Sequence, residues 1–335
     1  MLDKKWESKD VLITGGLGFI GSNLAHSLVD AASSITLLDA KLPGYGANSV
    51  NIERIRNDIQ VVKGDVRNSA FVRRYVDQAD VVYHCAAQLS RTASLEDPET
   101  DITINCTGTV NVLDAAAQRT NPPRVVFLSS QAAVGEPESL PIDGLTPANP
   151  MDVYGANKRA GEHYCSLYCR VKDVPTVVVR LSNVYGPRAQ LLNSNYGVIN
   201  RFIRLALVDE TLPVFKPGSM QRDFVYVEDV AAALEQLGLA EGVIGDRYML
   251  GSGVGTTIRQ LATLIVEEAG SGEVELVPWP NDWDSIRVGD LITDPSTLES
   301  AIPWQPATNL RDGIQNTLSY YRANRDAYLT SDKVE

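Results

Sequence analysis

Two short stretches of the sequence carry residue types that could oxidise or reduce an alcohol. In Asp152-Val153-Tyr154-Gly155-Ala156-Asn157-Lys158 a phenol and an amine stand four positions apart, on one face of an expected helix. A phenol has a solution pKa near 10, so acting as a base near pH 7 requires a shift of about three units, about 4 kcal/mol. A neighbouring cation moves it in that direction. Ser129-Ser130 closes an apolar run at the C-terminal end of an expected strand, where ligands bind in doubly wound sheets. The Ser130 hydroxyl could bond an oxygen whose carbon gains or loses a hydride. Each is ordinary alone, since Tyr-x3-Lys recurs by chance and a lone serine usually caps a turn.

A glycine turn gives the pair its context. Thr14-Gly15-Gly16-Leu17-Gly18-Phe19-Ile20-Gly21 follows a first apolar run and opens a helical pattern. Gly15 makes the tight turn, Gly18 lets backbone approach a pyrophosphate, and Gly21 permits close helix–strand packing, with the helix N–H groups facing the anion. The spacing is Gly-x2-Gly-x2-Gly. Asp39 ends the second strand eighteen residues after Gly21. A carboxylate there accepts hydrogen bonds from ribose hydroxyls and repels a 2′-phosphate, which points to NAD rather than NADP. The positive charge of oxidised nicotinamide would also help ionise Tyr154.

These residues need a scaffold, and the pattern supplies one. Expected strands at Asp10–Thr14, Ser34–Asp39, Ile59–Gly64, Val81–His84, Arg124–Leu128 and Thr176–Arg180 alternate with helices at Phe19–Val29, Ser69–Val76, Asp101–Arg119 and Asp152–Val171. Continuous apolar strands such as Val125-Val126-Phe127-Leu128 suit a parallel sheet covered on both faces. The fold class is therefore α/β, a Rossmann-type doubly wound parallel sheet. A smaller, sequence-discontinuous α/β substrate-binding lobe is expected beside it. Residues 1–185 form the NAD-binding domain, rejoined by about 224–252, where Phe224–Val227, Val230–Leu239 and Tyr248–Leu250 return to the first sheet. Residues 186–223 and 253–330 form the lobe, with a helix at Val198–Val208 and an extended piece at Leu212–Phe215.

Composition narrows the class of partner. The 335 residues are 44% hydrophobic and 21% charged, an ordinary globular balance. No stretch approaches the roughly 20 apolar residues of a membrane span, and Met1–Glu7 lacks the apolar core of a secretory signal. The formal net charge of −12 gives no general attraction to nucleic acid or anionic membrane. Three histidines, and four cysteines (Cys85, Cys106, Cys165, Cys169) without zinc-ligand spacing, imply a reduced, cytoplasmic, metal-free protein.

From about residue 10 to about 300, the ordered motifs resemble the extended short-chain dehydrogenase/reductases, in particular the NAD-dependent nucleotide-sugar epimerases and dehydratases. They are the glycine turn at 14–21, Gly64-Asp65-Val66, His84-Cys85-Ala86-Ala87-Gln88, Leu128-Ser129-Ser130, Tyr154 with Lys158, Arg180-Leu181-Ser182-Asn183-Val184-Tyr185-Gly186-Pro187-Arg188, Gln221-Arg222-Asp223-Phe224-Val225-Tyr226-Val227 and Arg287-Val288-Gly289-Asp290. The resemblance implies roles residue by residue. Tyr154 is the base, Lys158 binds the nicotinamide ribose and lowers the tyrosine pKa, and Ser130 completes the triad. Gly15, Gly18, Phe19, Ile20, Gly21 and Asp39 hold the cofactor. Asp65 and Val66 contact the adenine, Ala86 and Ala87 line the cofactor cleft, and Asn105 lies on the adjacent helix. Gln88, Ser130, Asn183, Arg222 and Arg287 face the nucleotide sugar, with UDP the expected carrier. The helices at Asp101–Arg119 and Asp152–Val171 imply a homodimer through a four-helix bundle.

Departures from the family pattern narrow the chemistry. The sugar dehydratases place an acid pair directly after the Ser/Thr, and the decarboxylases a glutamate two residues after it. Here Ser130 is followed by Gln131 and Ala132, which leaves epimerisation, most simply at C4 through a 4-keto sugar. Val134 replaces the usual Tyr before Gly135, the loop after Gly289-Asp290 is short, and residues 86–94 look more like glucuronate 4-epimerases or 2-epimerases. Inversion at C2, reduction of a keto-sugar and a non-catalytic NAD-binding protein remain the alternatives.

Overall fold

The computed structural model describes residues 3–192, 197–279 and 288–329. Strands β1 (Asp10–Thr14), β2 (Ser34–Asp39), β3 (Gln60–Lys63), β4 (Val81–His84), β5 (Arg124–Ser130) and β6 (Thr176–Leu181) lie parallel in one sheet. β7 (Asn183–Tyr185), β8 (Thr211–Phe215) and β9 (Gln221–Tyr226) lie outside it, and β10 (Arg247–Leu250) adds a seventh parallel strand beside β6. The order is β10-β6-β5-β4-β1-β2-β3, a Rossmann-type doubly wound sheet.

Alternation along each strand feeds two cores. Val11, Ile13, Val81, Tyr83, Val126 and Leu128 face one side, with Leu24 and Leu28 of the helix Phe19–Leu28 and Leu234 of the helix Val227–Leu239. Leu12, Val82, Val125 and Phe127 face the other, with Val72, Val112 and Cys165. Both faces are dry, which is why these strands read as unbroken apolar runs. Because all seven strands run the same way, Thr14, Asp39, His84, Ser130 and Leu181 emerge at one edge.

Two expectations need correction. The helix expected over Asp101–Arg119 is an α-helix at Pro98–Ile102, a π-helical turn at Thr103–Thr107 and an α-helix at Gly108–Ala117. Asp97 starts the run early by accepting from the Thr100 amide, with Pro98 at the first position. The strand expected at Phe224–Val227 does not rejoin the large sheet. β10 occupies that edge, and β9 pairs instead with β7 in parallel and with β11 (Gly255–Thr257) antiparallel. Phe224 and Tyr226 consequently pack into a second core with Tyr185, Phe202, Leu261 and Leu318. Beside that core, β8 pairs in parallel with β12 (Glu273–Val277).

Candidate active site

The turn after β1 forms a backbone cradle. Gly15 has φ +67°, and a Cβ there would lie 2.8 Å from the Ala86 backbone. At Gly21 a Cβ would stand 2.5 Å from the Gly15 carbonyl oxygen, so helix and strand touch without side chains between them. Gly18 caps the helix Phe19–Leu28 with no side-chain acceptor, which leaves the first-turn amides for an anion. The Asp39 carboxylate is 8% exposed and accepts from the Leu17 amide (3.1 Å) and the Lys41 amide (2.8 Å). Burial pushes its pKa up, against those two hydrogen bonds. Asp65 is held by Arg67 through contacts of 2.6 to 3.0 Å, which lower its pKa. The cradle, the bare helix start and Asp39 fit a dinucleotide pyrophosphate and its adenosine ribose.

These residues and the chemical ones share one cleft, with a cavity volume of about 420 Å³. Its lining includes Gly15, Gly18, Phe19, Ile20, Gly21, Asp39, Asp65, Val66, Ala86, Ala87, Ser130, Tyr154, Lys158, Asn183 and Arg222. Asp152 caps the helix Val153–Lys172 by accepting from the Gly155 amide at 2.7 Å, and so fixes where Tyr154 enters the cleft. The other Asp152 oxygen takes an ion pair from Arg91, a cleft residue that the sequence reading passed over. His84 bonds Thr14 Oγ1 at 2.7 Å and Thr109 Oγ1 at 3.1 Å, and burial drops its pKa to about 3. It is a neutral tie between strand ends, not a proton carrier.

The titration of the Tyr–Lys pair departs from expectation. Burial pushes the Tyr154 phenol above its ordinary value. The Ser130 hydroxyl bond and Arg91 pull it down, while Asp101 and Asp152 push it further up. Lys158 Nζ donates to the Leu128 carbonyl at 2.8 Å and stands 6.0 Å from the Tyr154 ring centroid. Burial lowers the Lys158 pKa to about 8, opposed by Asp101. Desolvation outweighs the Ser130 hydrogen bond and Arg91, and the cation expected to acidify the phenol, Lys158, is not among the groups that lower it. The surroundings that the protein alone gives Tyr154 favour the neutral phenol.

The residues expected to face substrate divide. Asn183 and Arg222 line the cleft, although both also hold backbone. Asn183 donates to the Asp223 carbonyl at 2.8 Å, and Arg222 donates to the carbonyls of Gly289 (2.5 Å) and Val288 (3.0 Å). Burial lowers the Arg222 pKa to about 10. Arg287 lies outside the described residues. Gln88 is a correction. Its side chain is 2% exposed and folds back onto the Ser90 backbone, donating to the carbonyl at 2.9 Å and accepting from the amide. Asn105 is spent likewise, bonding both backbone groups of Gln88 at 3.1 Å and donating to Asp101 at 2.9 Å. Both shape the loop after β4 and neither lines the cleft. Ser182 and Asn200 do line it and were missed. Ser182 sits inside the Arg180–Arg188 motif, but nothing in the sequence marks Asn200.

Comparison with known proteins agrees with this geometry. The model of the NAD dependent epimerase/dehydratase family matches residues 11–251. A UDP-glucose 4-epimerase of Mycolicibacterium smegmatis is 33% identical over 316 residues, covering 93% of this chain and 98% of the relative. A dTDP-glucose 4,6-dehydratase of the same organism is 30% identical over 325 residues, covering 94% and 93%. The solved structure of the Thermus thermophilus UDP-glucose 4-epimerase complex with NAD superposes with a TM-score of 0.82 at 30% identity, covering 93% of this chain and 99% of that one.

Proposed function

The chain belongs to the NAD-dependent epimerase/dehydratase family, and from that premise we propose that it inverts the C4 hydroxyl of a UDP-sugar, a hexose or hexuronate. One observation carries the choice of reaction. Among the described residues, the carboxylates lining the cleft are Asp39 and Asp65, both at the cofactor cradle. After Ser130 come a neutral amide and a methyl group, Gln131 and Ala132. Expelling water from a sugar needs an acid beside the leaving hydroxyl, and the Ser130 end supplies no carboxylic acid for it. Inversion through a ketone needs none.

Bound NAD supplies reversible hydride acceptance at a sugar carbon. The chain's own residues do the rest. Tyr154, ionised once the positive charge that bound oxidised NAD would bring lies beside it, takes the C4 hydroxyl proton, and Ser130 bonds the same oxygen while its carbon becomes trigonal. Lys158, charged below about pH 8, reinforces the bound nicotinamide ribose. Arg222 holds the diphosphate while the 4-keto sugar turns its other face, and Tyr154 then returns the proton. No external reductant is consumed. A homodimer follows from the same reading: Ile102, Leu167 and Val171 on the two expected bundle helices are 46%, 45% and 64% exposed.

The test is a nuclear magnetic resonance screen of UDP-glucose, UDP-galactose, UDP-glucuronate and UDP-galacturonate in deuterated water. Interconversion with no solvent deuterium at C4 is the expected result. Deuterium at C4, or loss of water from the sugar, would sink the reading.

A further inference from the structure

Asp101 is a fully buried carboxylate, 0% exposed, that the steps above do not use. It sits near the end of the helix Pro98–Ile102. Its Oδ1 accepts from Asn157 Nδ2 at 2.7 Å and from Asn105 Nδ2 at 2.9 Å. Asn157 stands between Tyr154 and Lys158 on the helix Val153–Lys172, and Asn105 comes from the π-helical turn at Thr103–Thr107. Both donors are neutral amides, and none of the described ion pairs closes on Asp101. Its charge is therefore left to act on whatever cation lies beyond that junction.

That cation is Lys158. Burial lowers the Lys158 pKa to about 8, and Asp101 is the largest influence opposing it. Lys158 in return helps hold the Asp101 carboxyl down against its own burial. The other titratable groups around the ammonium are neutral near pH 7. His84 on β4 falls to about 3, Cys85 beyond it rises to about 12, and Cys106 in the π-helical turn rises to about 11. Cys165, on the lysine's own helix, is pushed up as well. So is Tyr154, whose ring centroid lies 6.0 Å from Nζ, and Asp101 adds to that rise. The Leu128 carbonyl gives Nζ a hydrogen bond and no charge. Of these groups, Asp101 alone is charged near neutral pH.

Resting on the reading that Lys158 holds the nicotinamide ribose, we propose that Asp101 is a positioning residue acting through Lys158: its buried charge, tied by Asn157 to the turn that carries the lysine, keeps the ammonium protonated for bound NAD. Without that charge Lys158 gives up its proton at a lower pH.

The experiment is calorimetric binding of NAD from pH 5.5 to pH 9.5, with Tyr154→Phe in every protein so that the phenol adds no titration. Asp101→Asn keeps an oxygen for both amides and removes the charge. With Asp101 present, affinity should fall as pH rises through about 8, and in the Asn variant it should fall sooner. The ratio of the two affinities should therefore peak near pH 7.5, about threefold above its value at either end, part of the roughly tenfold that one hydrogen bond carries. A purely structural loss is the same at every pH and makes no peak. Adding Lys158→Met to both proteins should abolish the peak. Asp101→Glu, which keeps the charge, should keep the profile of the parent, and Asp101→Ser repeats the neutral test with a smaller acceptor. A ratio flat with pH, or a peak that survives Lys158→Met, overturns the proposal. Turnover of UDP-glucose is measured in parallel with Tyr154 intact. A peak in binding without inversion supports Asp101 and overturns the epimerase reading alone, and inversion beside a flat ratio does the reverse.

Discussion

At Tyr154 and Lys158 two effects compete, and burial wins in both. The phenol is pushed up and the ammonium down, because each would carry its charge in a dry site. That the pair shares a helix face was legible four residues apart in the sequence. The sign of the tyrosine shift was not, because desolvation belongs to packing from distant segments such as β5 and the residues around Asp101. Tyr154→Phe removes the proton acceptor, so turnover should fall about 10²–10⁴-fold while UDP-sugar binding by calorimetry holds. Ser130→Ala should be milder. Wild-type turnover by the Phe variant would remove Tyr154 from the mechanism. Lys158 makes a stability prediction with a definite sign. Its folded pKa lies below the unfolded value of 10.5, so between about pH 8 and 10.5 the unfolded chain holds a proton the folded chain has released. Stability from this group is therefore present above the unfolded value and lost as pH falls through about 8. In urea unfolding at pH 7.5 and pH 10, the difference between wild type and Lys158→Met should shift toward wild type at the higher pH by a few kcal/mol. An unchanged difference would mean that Lys158 is solvated in the fold.

Elements that bury both faces announced themselves in the sequence, and elements defined by their neighbours did not. β1, β2 and β4 lie where the apolar runs placed them, because their alternate side chains fill two cores. β9 was misplaced because its pattern, Phe224-Val225-Tyr226, suits either sheet, and pairing is decided by which edge β10 leaves open. The π-helical turn at Thr103–Thr107 was invisible too. It turns Asn105 inward onto Gln88, and that contact depends on a loop from another strand. Gln88 itself matched the family motif, yet its polar atoms are spent on the Ser90 backbone. The glycine turn was legible in full, and its glycines separate experimentally. Gly21→Ala puts a methyl 2.5 Å from the Gly15 carbonyl oxygen and 2.9 Å from Gly16 Cα, backbone atoms that cannot yield. It should destabilise the fold by about 1–3 kcal/mol as overpacking. At Gly18 a Cβ meets the Gly15 carbonyl oxygen at 3.2 Å and nothing else within 4 Å, while the residue lines the cleft. Gly18→Ala should keep its melting temperature and lose NAD affinity. Equal thermal losses in the two variants would contradict this division.

Across the whole molecule, the cleft depends on one buried carboxylate that never enters it. Asp223 is 0% exposed and has no cation on it among the described ion pairs. Its oxygens accept from the Ser252 amide (2.8 Å), the Ser252 hydroxyl (2.6 Å), the Gly253 amide (2.9 Å), the Thr293 amide (3.3 Å) and the Thr293 hydroxyl. Its own carbonyl takes the Asn183 amide group. The residue therefore joins the start of β7, β9, the loop after β10 and the segment 288–294. The neighbouring Arg222 sits on that junction, with its guanidinium on the Val288 and Gly289 carbonyls and its backbone bridged to Leu291. The junction thus sets where Arg222, the cation proposed to hold the diphosphate, sits in the cleft, and the cofactor cradle at Gly15–Gly21 is built without it. Asp223→Asn replaces an acceptor oxygen by an amide that must face N–H and O–H donors. Leaving such buried groups unmatched costs about 1–3 kcal/mol, read as a lower urea midpoint. With the junction loosened, KM for the UDP-sugar should rise about tenfold, the scale of one misplaced charge-assisted contact, with a smaller change in kcat. NAD should stay bound, because no group at Gly15–Gly21 or Asp39 is touched. Losing NAD together with UDP-sugar affinity would show that the two halves of the cleft are not separately supported. An unchanged KM beside lowered stability would leave Asp223 a structural tie with no hold on Arg222.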